Sequence, residues 1–347
     1  MNWYQLSKDE KLQVIQQASV ETGLPDSVIE KDWWVQQTLA IIFEMELGQH
    51  LVFKGGTSLS KAWGLIERFS EDIDLAIDRC FFGAEFEGDL GTKKRDKLRE
   101  ETSSYIQESL YPALVKAFSD KGFNEVTIEL VPSADSEADP REINIFYTPL
   151  TKADGYVEQR VKVEIGCRSL REPFVNREIA SFIDQTFPDS AFFESPISVP
   201  TVIPERTFLE KIFLLHEEFQ RPPEKRRVER LSRHLYDIHQ ISSTPYAANA
   251  LGDLDLYETI VNHRYKFTKV GRVNYNLHQP QTINPIPPTD IIEAWRTDYN
   301  TMRESMIPEH ANRPEFDDLI QSIQALVVNI NAFKWKMTSE FPIPAES

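Results

Sequence analysis

The sequence predicts an α+β protein with a helical C-terminal half. Apolar residues recur at helical spacing through the first 45 positions. Short alternating stretches that suit strands fall between positions 51 and 165, and the pattern after Pro200 is helical almost to the end. The 347 residues suffice for about two domains, and the boundary is placed near residue 200, giving 1–200 and 201–347. Hydrophobic residues at 41% and charged residues at 27% are ordinary globular usage, and the 13 Gly and 21 Pro are too scattered for a collagenous or low-complexity chain.

Ser7 followed by Glu10 reads as a capping box that opens a first helix, and Gly23 and Pro25 close it. Val28, Ile29, Trp33, Trp34, Leu39, Ile42 and Phe43 then mark a second, buried helix, so that the two form an N-terminal brace. Leu51 to Phe53 suits a short strand, Gly55 and Gly56 a turn, and Thr57 to Phe69 a helix with Leu59, Ala62, Trp63 and Ile66 inward. In Asp72-Ile73-Asp74-Leu75-Ala76-Ile77 the polar and apolar residues alternate, which puts Ile73, Leu75 and Ile77 on a core face and the two aspartates on the other. A long charged helix follows from Lys93 to Phe118. Strands are then expected at Glu125–Val131, Glu142–Tyr147 and Tyr156–Ile165, continuing the sheet as a meander. The C-terminal half reads as helices near Arg206–Phe219, Val228–Ser242, Tyr257–Phe267, Thr289–Met302 and Glu315–Lys336.

Lys and Arg number 38 against 55 Asp and Glu, a formal charge of −17 that disfavours binding to polyanions through net charge. Any nucleic-acid contact must be local. Three stretches qualify: residues 91–99, 160–177 and 221–234 carry +4, +3 and +4. They read either as solvated, ion-paired faces or as a track for a phosphate backbone, and the second reading is preferred. Cys80 and Cys167 are too few for a disulfide framework and fit a reducing cytosol. The start lacks the pattern of a secretory signal, and the longest apolar run, Leu39–Phe43, is too short to span a bilayer, so a cytoplasmic protein is expected.

The chemistry concentrates between residues 55 and 74. Two glycines between a strand and a helix let backbone approach a ligand, the helix start offers free N–H groups to phosphate, and Thr57 and Ser58 add hydroxyl donors. Asp72 and Asp74, two apart on a strand, lie about 6.5 Å apart on one face, a spacing that can serve divalent cations about 3.5 to 4 Å from each other. Their hard oxygens suit Mg²⁺. Either piece alone is commonly a plain turn or a solvated strand edge. A third carboxylate is needed, and Glu164 in Val161-Lys162-Val163-Glu164-Ile165 faces away from the apolar residues, on the side that Lys162 shares. The alternative is a solvated Glu164 paired with Lys162. The seven histidines form no metal-ligand spacing, and no Gly-x-Ser-x-Gly elbow, Walker A sequence or Gly-x-Gly-x-x-Gly fingerprint is present, which removes support for hydrolase triads and dinucleotide cofactors.

A Gly-Gly followed by Asp-x-Asp resembles the polymerase-β-like nucleotidyltransferase superfamily, with 15 residues between Gly56 and Asp72 where many members have fewer. More closely, FKGGTSLSKAWGLIERFSEDIDLAI, Phe53 to Ile77, with its ending Arg68-x-Ser70-x-Asp72-x-Asp74, resembles the AbiEii/AbiGii toxin family of nucleotidyltransferase-like proteins. Glu30-Lys31-Asp32, Trp34-Val35, Asp298-Tyr299, Met302, Met306, Pro314 and Phe316 extend the resemblance over nearly the whole chain. It implies the mixed sheet of that superfamily with flanking helices, and a nucleotide site that includes Arg68 and Ser70. It also implies that Lys211 reaches nucleotide phosphates as a point charge, that Asp237 orients Lys211 or the base, and that Arg233 is a second anion contact. From the residues alone, Lys211 reads as a snorkelling surface lysine and Asp237 as a helix-surface carboxylate.

The resemblance thus implies a toxin that transfers a nucleotide from an NTP to an acceptor hydroxyl with two Mg²⁺ ions held by Asp72, Asp74 and Glu164. A tRNA acceptor, a cognate antitoxin and a place in toxin–antitoxin or phage-defence systems come with it. A nucleotidyltransferase acting on small hydroxylated molecules, and a nucleotide-binding module without turnover, are the alternatives.

Overall fold

The computed structural model describes residues 2–133, 135, 138–152, 158–171 and 173–344. The chain forms two compact units. One comprises Met1–Gly64, Arg68–Val202 and Pro308–His310; the other comprises Leu65–Glu67, Ile203–Ile307 and Ala311–Ser347.

The first unit opens with helix α1, Lys8–Thr22, and the capping box is present: the Ser7 N–H donates to Glu10 at 2.8 Å and the Glu10 N–H to the Ser7 hydroxyl at 3.4 Å. Gly23 ends it in the left-handed region at φ 66°. Helix α2, Asp26–Glu44, is buried along most of its length. Its Trp33 and Trp34 pack with Trp3, Tyr4, Phe123 and Tyr147, with Trp34 stacked on Tyr147 at 5.3 Å. Strand β1, Leu51–Lys54, runs into the short helix α3, Gly55–Lys61, and then comes β2, Asp72–Ile77. The helix expected over Thr57–Phe69 therefore starts two residues earlier and stops at Lys61. Gly64 at φ 60° turns the backbone out of the helix, while Ile66 and Phe69 are buried from irregular chain.

The expected long helix is α4, Thr92–Tyr105, a wide turn at Ile106–Leu110, and α5, Tyr111–Asp120. Strands β3, Thr127–Leu130, β4, Arg141–Phe146, and β5, Arg160–Gly166, follow. Tyr156 and Val157, the expected start of the last of these, lie outside the described residues. Strand β6, Phe174–Ile179, helix α6, Phe182–Thr186, and strand β7, Ile197–Val202, complete the unit. The seven strands order as β3-β4-β5-β2-β1-β7-β6, with β2 parallel to β5 and β1 parallel to β7. The expected meander is present as β3-β4-β5, and β1-β2 and β6-β7 are likewise consecutive antiparallel pairs; β2 meets β5 through a parallel pairing that alternation along one strand does not reveal.

The second unit is helical: α7, Pro204–Gln220; α8, Ser232–Ser242; α9, Pro245–Gly252; α10, Leu254–Phe267; α11, Ile292–Met306; and α12, Phe316–Asn331. The expected apolar stripe of α7, from Phe208 to Leu215, is buried. Helix α8 begins at Ser232, four residues later than the sequence suggests. Arg230 is left-handed at φ 59°, and the Asp298 carboxylate takes the Arg230 N–H at 2.7 Å and the Ser232 N–H at 3.1 Å. No helix among the described residues is long and apolar enough to cross a membrane.

Candidate active site

Backbone geometry builds the diglycine corner. Gly55 sits at φ 79°, a conformation that side chains disfavour, and a Cβ there would overlap the Asp74 carboxylate. A Cβ on Gly56 would lie 2.8 Å from both Arg68 Nη2 and Ser70 Oγ. The turn is thus held against Asp74 on one side and against Arg68 and Ser70 on the other. Thr57 and Ser58, expected as phosphate donors, are buried and committed to the protein: Thr57 Oγ1 donates to the Asp72 carbonyl at 2.5 Å and lies 3.0 Å from Ser70 Oγ, and Ser58 Oγ donates to the Gly55 carbonyl at 2.9 Å. Buried Arg68 Nη1 donates to the Phe69 carbonyl at 3.1 Å. These side chains brace the corner, which leaves its backbone as the part suited to a ligand.

On β2, Ile73, Leu75 and Ile77 are buried while Asp72 and Asp74 are partly exposed on the opposite face, as the alternation requires. The parallel register places Asp72 beside Lys162 and Asp74 beside Glu164. Across the next pair Glu164 faces Glu142, and on the far side Asp74 faces Lys54. A row of carboxylates therefore crosses β4, β5 and β2. Lys162 Nζ lies 3.3 Å from Asp72 Oδ2 and 3.0 Å from Glu164 Oε1. Burial opposes the charge of Lys162, but the two carboxylates outweigh it and hold the ammonium above its ordinary pKa. Among the described residues no three His, Cys, Asp or Glu side chains converge on a single ion site as placed. In donor type and register, however, Asp72, Asp74 and Glu164 fit a hard divalent cation: three carboxylates on one face of adjacent strands, beside a turn that brings backbone against one of them.

Helix α2 fixes this corner with three successive charges that sequence reasoning noted only as a resemblance. Lys31 Nζ reaches Glu71, the residue before Asp72, at 2.6 Å with both side chains buried. Asp32 accepts from Lys61, at the end of α3, at 2.5 Å and from the Phe182 N–H at 2.7 Å. Glu30 accepts from the backbone of Leu150 and Thr151 at 2.7 and 3.0 Å, and burial raises its pKa despite these bonds. Glu142 was missed as a part of the site, whereas Lys162 was read as the alternative partner of Glu164, and that pair is present at 3.0 Å. The polar-apolar alternation of Arg141-Glu142-Ile143-Asn144 and of Lys162-Val163-Glu164 was the available signal.

In the second unit, Lys211 on α7 and Asp237 on α8 form an ion pair of 2.8 Å, with side chains 7% and 0% exposed. Neither is the surface residue that the isolated sequence suggests. Lys211 Nζ also lies 3.3 Å from His234 Nδ1, and Arg233, in the first turn of α8, is half-buried. The positive stretches are largely committed within their own units: Arg160 to Glu142 and Glu158, Arg171 to Asp78, Arg226 to Asp290, and Arg227 to Glu218. Arg221 pairs with Glu218 at 3.2 Å and also lines, with Lys225, Lys269 and Arg272, an open cavity of about 450 Å³ with no acidic residue on its wall.

A diglycine corner, two aspartates on the following strand and a glutamate in register beside them agree with the arrangement that the family resemblance implies. A family model described as nucleotidyl transferase AbiEii toxin, type IV toxin–antitoxin system, matches residues 37–322, and the chain belongs to that family. Membership implies an NTP substrate and a divalent cation. Among solved structures, MenT4, a nucleotidyltransferase toxin from Mycobacterium tuberculosis H37Rv, is similar over 94% of this chain and 98% of its own, at 16% identity and a TM-score of 0.46. No curated protein matches the chain.

Proposed function

We propose that this toxin transfers a nucleotide from an NTP to a hydroxyl of an RNA, with tRNA as the acceptor, in the cytoplasm, as the active partner of a cognate antitoxin in phage defence. The observation that carries the reading is the register of Asp74 with Glu164 beside the Gly55–Gly56 corner. Asp72, Asp74 and Glu164 would hold two Mg²⁺ ions, which when bound neutralise phosphate charge and lower the pKa of the attacking hydroxyl. The backbone at Gly55 and Gly56 admits the triphosphate closely, with Arg68 and Ser70 as its support. In the second unit, Lys211, paired with Asp237 at 2.8 Å, and Arg233 are the cations that the family resemblance assigns to nucleotide phosphates. The acceptor oxygen bonds to the α-phosphorus, the bond from that phosphorus to the β-phosphate oxygen breaks, and pyrophosphate leaves. Positioning and charge stabilisation supply the catalysis.

An RNA acceptor is supported by the cavity of Arg221, Lys225, Lys269 and Arg272, a local cationic surface in a chain of charge −17. The test incubates the full chain with each labelled NTP, first with total tRNA and then with small hydroxylated acceptors. Asp72→Asn and Asp74→Asn should each abolish labelling of tRNA without lowering the unfolding temperature. Transfer at the wild-type rate by both variants would overturn the catalytic assignment, and product on small acceptors alone would overturn the RNA acceptor.

A further inference from the structure

Lys162 stands in the carboxylate face, but the transfer reaction as proposed gives it no part. It stands on β5 directly beside Asp72 in the parallel register and two residues before Glu164 on the same face. Its ammonium touches both carboxylates, at 3.3 and 3.0 Å, and all three side chains are half-buried, where water screens them less than at an open surface. Without this cation the row Glu142, Glu164 and Asp74, with Asp72 next to it, would gather negative charge on adjacent strands, and like charges at such positions repel.

We propose that Lys162 is a built-in counter-ion that competes with the divalent cation for Asp72 and Glu164, so that loading the metal requires its ammonium to leave them. The inference rests on the reading of Asp72, Asp74 and Glu164 as cation ligands. A lysine is suited to the task because its charge is a compact point on a flexible four-carbon stem, able to swing aside without moving the strand. As placed, the ammonium engages Asp72 and Glu164 directly, at 3.3 and 3.0 Å, so a cation that takes these oxygens must displace it. Two consequences follow: the empty toxin is stabilised, and the threshold of divalent ion at which it becomes competent is raised.

The test uses the full chain without nucleotide, titrated with Mn²⁺. Bound ion is read from loss of the free Mn²⁺ electron-resonance signal, and unfolding temperature is followed in parallel. Lys162→Met keeps most of the stem and removes the charge. It should lower the unfolding temperature of the metal-free protein and tighten Mn²⁺ binding about tenfold, since a dication no longer displaces a bound cation. Lys162→Arg keeps the charge and offers a fork that grips carboxylates more firmly, so it should weaken Mn²⁺ binding several-fold and serves as the informative variant if the methionine protein does not fold. Wild-type Mn²⁺ binding that neither substitution changes would overturn the role of Lys162 while leaving the carboxylate site standing. Absence of Mn²⁺ binding in wild type and both variants would overturn the site and the inference together.

Discussion

Replacing Gly55 by alanine separates the cost of a strained backbone from the cost of a displaced carboxylate. At φ 79° an L-residue pays about 1–2 kcal/mol relative to glycine. In a domain of some 200 residues each kcal/mol lowers the unfolding temperature by about 2–4 °C, so Gly55→Ala should lose about 2–8 °C. The larger effect is on the site. The new Cβ would sit 2.9 Å from Asp74 Cγ and 3.2 Å from Asp74 Cβ, too near the root of that side chain for a simple swing of its end to relieve the overlap. Asp74 must change rotamer or β2 must shift, and a displacement of about 1 Å at a reacting centre can cost about 100-fold in rate. The assay is nucleotide transfer at a temperature well below the variant's unfolding, alongside thermal unfolding by circular dichroism. An alanine variant that unfolds at the wild-type temperature and transfers at the wild-type rate would refute the argument. Activity lost at high temperature but regained on cooling would reduce it to a stability effect.

Other changes test the buried charges. Asp237→Ala leaves Lys211 without its carboxylate in a buried setting and should cost about 3–5 kcal/mol in chemical denaturation. Pairing it with Lys211→Met should recover much of that stability without recovering transfer. Lys31→Met breaks a buried pair with Glu71 and should cost a similar amount, with a fall in activity because Glu71 directly precedes Asp72. On acidification, His216 opposes protonation: burial, with His278 alongside, pushes its pKa from 6.5 down to about 3. The unfolded chain therefore takes up that proton first, and stability present above pH 6.5 is lost as pH falls toward 3. Glu217 adds loss in the same direction between 4.5 and about 2; burial opposes its charge, but Arg264 and His278 outweigh it. Unfolding temperature measured from pH 7 to pH 4 should fall steadily, and a flat profile would contradict the placement of these groups.

The parts of the site that the sequence disclosed were those set by local rules. The alternation around Asp72 and Asp74 and around Glu164 fixed their faces, because a strand repeats every two residues. The pairing of β2 with β5 was not legible, since their register depends on how chain separated by some 90 positions returns to the sheet. Strand β7 was missed because Pro200 breaks the usual strand signature, and β6 because Asn176, Arg177 and Glu178 are three consecutive polar residues without polar-apolar alternation, which an edge strand tolerates. The burial of Lys211 and Asp237 was hidden for a different reason. A charged residue beside an apolar stripe usually stays wet, and only the opposing helix supplies the partner that lets both leave water. Thr57 and Ser58 were assigned to a ligand from their type, but both hydroxyls find acceptors or partners within the corner itself.

The three consecutive charges on α2 also bear on how this toxin can be trimmed. Homology over residues 37–322 invites a cut just before residue 37, yet that cut removes Glu30, Lys31 and Asp32. With them go the tethers of the 150–151 loop, of the approach to the first β2 aspartate, and of the last turn of the helix that starts at the diglycine corner. The smallest piece that keeps this candidate site braced is therefore larger than the piece that sequence comparison outlines, and shortened forms should be judged by whether they retain that helix.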